Sequence, residues 1–94
     1  METLPPIELL EATHTFPGRF TFKAIGKHEG EFTERVVATI RVVLEHEFDS
    51  PFSVQMTAGG RHIAVTIEPT VESAQQVLAV YQQLRALDGL VMLL

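Results

Sequence analysis

Ninety-four residues, 46% hydrophobic and 20% charged, suffice for one modest core and leave no room for a second, and this composition excludes a disordered chain. A net charge of −5 with only seven Lys and Arg disfavours nucleic acid and anionic membrane as partners, since both are held by clustered cations. The absence of cysteine excludes disulfide scaffolds, thiol catalysis and Cys-based zinc sites.

Residues 1–17 read as a lead-in to a single domain over 18–94. Met1-Glu2-Thr3-Leu4-Pro5-Pro6 has neither the basic start nor the apolar run of a signal peptide, which leaves a cytoplasmic location as the expectation. Ile7 to Ala12 predicts a short helical turn carrying Leu9 and Leu10, and His14-Thr15-Phe16-Pro17-Gly18 predicts a turn. From Arg19 the pattern alternates. Phe20, Phe22 and Ala24 share one face and Thr21, Lys23 and Ile25 the other, which predicts a strand ended by Gly26 to Gly30.

Glu31 to His46 predicts a long helix, because Phe32, Val36, Val37, Ile40, Val43 and Leu44 recur at the three-four spacing of one helical face. Glu29, Glu31 and Glu34 near its start suit the positive end of the helix dipole. Asp49-Ser50-Pro51 breaks the chain. Phe52, Val54, Met56 and Ala58 then alternate with Ser53, Gln55 and Thr57 as a second strand, and Gly59-Gly60 marks a tight hairpin. Ile63, Val65 and Ile67 define a third strand stopped by Pro69-Thr70. Glu72 to Leu87 predicts a second long helix buried through Ala74, Val77, Leu78, Tyr81 and Leu84. After Asp88-Gly89, Leu90 to Leu94 predicts a last short strand, far too short to span a bilayer.

The order strand–helix–strand–strand–helix–strand, with right-handed crossovers, predicts an α+β, ferredoxin-like βαββαβ sandwich. Its four-stranded antiparallel sheet carries the two helices on one face, with the fourth and second strands at the edges. The expected core combines Phe20, Phe22, Val36, Ile40, Val54, Met56, Val65, Ile67, Val77, Tyr81 and Leu84.

Leu9-Leu10-Glu11, followed by Phe16-Pro17-Gly18-Arg19-Phe20-Thr21-Phe22-Lys23-Ala24-Ile25-Gly26, resembles the start of the YbeD family, and Tyr81, Leu84, Leu87, Asp88, Met92 and Leu94 sit at the spacing of its tail. The hairpin Thr57-Ala58-Gly59-Gly60-Arg61-His62-Ile63 departs from the Ser, Gly and Tyr which that family usually carries there. The resemblance implies a small bacterial protein of unassigned function with an ACT-like fold. Fold alone assigns no activity.

The residues themselves offer few sites. His46, beside Glu45, Glu47 and Asp49, could meet a hard cation, but a His in a last helical turn is accounted for by the helix dipole, and no metal site is expected. Ser50, Ser53 and Ser73 lie in no nucleophile elbow and no carboxylates pair, so neither catalysis nor a cofactor is expected. Gly26-Lys27-His28-Glu29-Gly30 joins the first strand to a helix N-terminus. There, backbone N–H groups with Lys27 and His28 could receive a small anionic metabolite, and Gly26, Lys27, His28 and Gly30 are the candidate ligand residues. In ACT domains, by resemblance, the corresponding loop contacts regulatory ligands. The open sheet face has no aromatic platform for RNA.

The last strand supplies the other candidate. With Leu90, Met92 and Leu94 turned into the core, Val91 and Leu93 fall on the open face and are the candidate interface. An uncharged apolar edge needs a cover, either the lead-in through Leu4, Ile7, Leu9 and Leu10 or a second chain. The expected function is a regulatory or adaptor module that binds protein, including a homodimer, with an ACT-like small-molecule sensor as the alternative.

Overall fold

Alternation over residues 22–27 and 62–67 sets the centre of the sheet. In the computed structural model, which describes residues 4–94, these segments form adjacent strands whose inward residues Phe22, Ala24, Ile63, Val65 and Ile67 are all buried. In chain order the elements are helix α1 (Ile7–Thr13), strands β1 (Gly18–Arg19) and β2 (Phe22–Lys27), helix α2 (Phe32–Val43), strands β3 (Phe52–Met56), β4 (His62–Ile67) and β5 (Thr70–Val71), helix α3 (Ala74–Arg85) and strand β6 (Leu90–Leu93). The fold is α+β, and its main sheet is antiparallel with strand order β3-β4-β2-β6. Among the described residues no helix is long and apolar enough to cross a membrane.

Helix α2 forms where Phe32, Val36, Val37 and Ile40 bring their apolar side chains onto one stripe, and these four residues are buried. Helix α3 begins at Ser73, whose hydroxyl accepts from the Gln76 N–H at 3.2 Å, a side-chain cap for an otherwise orphaned donor. Its buried stripe is Ala74, Val77, Val80 and Leu84, whereas Leu78 and Tyr81 are only partly buried, so the face is rotated from the expected one toward Val80. Both helices pack on each other; α2 also meets β2 and β4, and α3 meets β6. Phe20, Phe22 and Tyr81 form an aromatic group inside this layer, Phe22 lying 4.9 Å from Phe20 and 5.2 Å from Tyr81 between ring centroids.

The lead-in also folds. Leu10 of α1 enters the core and α1 packs against α3, not over the β6 edge, for which the lead-in is one of two expected covers, the other being a second chain. The first three residues of the predicted lead-in lie outside the described residues. A further two-stranded ladder, β1 with β5, pairs Gly18 with Val71 and Arg19 with Thr70, where the sequence reads a turn up to Gly18, the start of the first strand at Arg19 and a strand stop at Pro69-Thr70.

Two expected faces are corrected. Phe52, Val54 and Met56 do stand on the helix side of the sheet, opposite Ile67, Val65 and Ile63, yet they are 48%, 49% and 45% exposed. Val54 and Met56 are therefore not core residues. Strand β3 is an edge, and the helices lie over its neighbours. On β6 the inward residues are Leu90 and Leu93, not Met92 and Leu94. Pairing with β2 shifts between Ile25 and Gly26, so that Ala24 faces Leu93, Ile25 faces Met92 and Gly26 faces Leu90. Val91 is the extra residue, and this bulge reverses the alternation. Leu93 is thus buried at 7% exposure, while Val91 at 52% is outward.

Candidate functional site

The segment from β2 to α2 is built around a close approach of strand and helix. A Cβ placed on Gly26 would lie 2.4–2.6 Å from three atoms of the Phe32 ring. Gly26 therefore sits inside β2, buried beneath the first residue of α2, and does not end the strand in an open loop. A glycine in a strand interior marks such an approach. Of the four candidate ligand residues, Lys27, His28 and Gly30 are exposed and Gly26 is buried. Gly26→Ala is expected to cost about 1–3 kcal/mol, because a ring that is already close-packed must move. Urea unfolding tests this, and a double-mutant cycle with Phe32→Leu should give a coupling of about 0.5–3 kcal/mol. A loss under about 0.5 kcal/mol, the range of an uninvolved surface change, would contradict the contact.

The rest of the loop is tied down by main-chain bonds. The Lys27 N–H donates to Gly89 O at 2.9 Å, the His28 N–H to Arg61 O at 2.9 Å and the Glu29 N–H to Lys27 O at 2.8 Å. The His28 Nδ1 lies 3.3 Å from Gly60 O. Gly30 and Glu31 both adopt left-handed conformations, with φ of 60° and 56°, and turn the chain into α2. Glu31 occupies the N-cap without a side-chain capping bond.

Arg35, which no sequence signal singles out, clamps the loop. Its Nε donates to Gly30 O at 2.9 Å, its Nη1 to Asp88 O at 3.0 Å, and its guanidinium lies 5.7 Å from the Phe32 ring centre. No local signal announces this, since Asp88 is 53 residues away. The clamp holds the β2–α2 loop against the α3–β6 turn. Beside it, His28, Glu29, Glu31, Phe32 and Glu34 line an open hollow in which three carboxylates face solvent. The helix dipole is thus met by the chain's own acids. Among the described residues no group of three or more His, Asp or Glu could hold a metal ion.

A second surface lies at β3. Thr33, Glu34, Val37, Ala38 and Arg41 of α2 face Asp49, Phe52 and Val54 across a groove of 380 Å³, and the Arg41 Nη1 to Asp49 Oδ1 ion pair at 2.7 Å closes one end. Within the sheet β3 pairs on one side only, with β4, and all five of its residues are exposed. Its outer N–H and C=O groups are a template for another strand. The candidate interface residues divide. Val91 is available on the other edge, and Leu93 is not.

Comparison with known proteins agrees with this architecture. The family described as a protein of unknown function, DUF493, matches residues 11–94. A "UPF0250 protein" of Shewanella piezotolerans is 34% identical over 82 residues, spanning 87% of this chain and 86% of its own length. Another from Pasteurella multocida is 28% identical over 79 residues, spanning 84% of this chain and 88% of its own. Among solved structures, the ACT domain from GTP pyrophosphokinase of Chlorobium tepidum superposes with a TM-score of 0.60 over 81% of this chain and 94% of that one, at 13% identity, a likeness of fold alone. The resemblance seen in residues 9–26 and in the tail is thereby shown, and the chain belongs to the DUF493 family.

Proposed function

We propose that this chain is a small, non-catalytic regulatory or adaptor module that acts by binding protein, and that the β3 edge is the surface it presents. The carrying observation is the exposure of Phe52, Val54 and Met56, three apolar side chains in register with the core residues Ile67, Val65 and Ile63 but lacking a helix above them. Proteins ordinarily blunt such an edge with charge, Pro, a bulge or a cover. Strand β3 has none of these within it, whereas β6 carries the bulge at Val91. Addition of a strand at β3 would satisfy the outer backbone groups, and the α2–β3 groove would receive alternate apolar side chains.

The test is affinity capture from the native bacterium with the unaltered chain, Val54→Lys and Val91→Lys, followed by calorimetry with the purified partner, whether another protein or a second copy. Val54→Lys should lose the partner and Val91→Lys should keep it. Retention by Val54→Lys together with loss by Val91→Lys would move the function to the other edge and sink this reading.

A small-molecule sensor of the ACT type draws support from the shared fold and from the exposed Lys27 and His28. Glu29, Glu31 and Glu34 around the same hollow repel an anion, so this reading stands second.

A further inference from the structure

We propose that the occupant of the β3 edge is a second copy of this chain, paired antiparallel about a two-fold axis at Val54. The proposal rests on the reading of β3 as a protein-binding edge and adds the identity of the partner and the register.

The β3 edge is self-complementary. An antiparallel pairing centred on Val54 sets Val54 against its own copy and Phe52 against the copy's Met56, all on the helix side. Ser53 then meets the copy's Gln55 on the open side. A two-fold axis perpendicular to the sheet keeps both helix layers on one face, so the two uncovered apolar strips merge into one. No like charges are brought together, because residues 50–60 contain no Asp, Glu, Lys, Arg or His.

Alternative covers within the chain are engaged elsewhere or poorly shaped for this edge. Helix α1 is engaged on α3, so among the described residues the lead-in leaves β3 uncovered. Head-to-tail pairing of β3 with β6 would propagate without closing, and the bulge at Val91 disrupts the regular ladder that it needs.

The chain contains no cysteine, so Val54→Cys introduces a single thiol per copy. Directly opposed residues in an antiparallel pair stand about 4.5–5.5 Å apart between Cα atoms, within disulfide range. Under mild oxidation Val54→Cys should form a linked dimer, and the equally exposed Val91→Cys should not. The second copy is overturned if Val54→Cys cross-links no faster than Val91→Cys. If in that case Val54→Lys still loses a different captured protein, the edge reading stands without the dimer; if it loses none, both fail.

Discussion

Replacing Phe22 by alanine should lower stability by about 3–5 kcal/mol, as removal of a fully buried aromatic ring does. Phe22 is 0% exposed, pairs with Ile67 across β2 and β4, and touches both Phe20 and Tyr81 through its ring. The truncation therefore leaves a cavity where strand, helix and aromatic group meet, and few of its walls can close in. Domains of this size hold about 5–15 kcal/mol in total, so the variant should lose roughly a fifth or more of the whole. Urea unfolding followed by circular dichroism reads this as a lowered midpoint at an unchanged slope. A loss under about 1 kcal/mol would place the ring outside the core.

Ile40→Ala should cost about 2–5 kcal/mol for the same reason on the helix side. Ile40 is 0% exposed and lies on the stripe of Phe32, Val36 and Val37, facing the sheet. Two residues further on, Val42 is 67% exposed, and its replacement by alanine should stay within about 0.5 kcal/mol. The pair fixes the rotation of α2 about its axis. A loss under half a kcal/mol at Ile40, below even a mild core truncation, would mean that another face is buried.

The two helices and the four main strands are legible in the sequence because their periods are long and clean: three-four spacing over 32–44, alternation over 20–25 and 62–68, and a Gly-Gly turn between paired strands. What escapes is whatever depends on distant parts. Alternation says that Phe52, Val54 and Met56 share a face, but coverage of that face depends on where α2 comes to lie, and α2 stops short of the edge. In Leu90 to Leu94 every residue is apolar, so no polar position marks the phase, and one bulge exchanges Leu93 for Met92 and Leu94. Gly26 reads locally as a turn, yet its role is set by the Phe32 ring six residues later. Of the candidate site, the exposure of Lys27, His28 and Gly30 is legible, while the Arg35 clamp requires Asp88 from the far end of the chain. The sequence places the candidate interface at the last strand, whereas the strand exposed along its whole length is β3.

Self-pairing at the β3 edge is tested most directly by the mass of the 94-residue chain in solution, measured by light scattering over a range of concentrations. The unaltered chain and Val91→Lys should each approach twice the chain mass of 10.5 kDa, and Val54→Lys should remain at the chain mass. A mass of one chain for the unaltered protein at every concentration, or a dimer that Val54→Lys leaves intact, would contradict it.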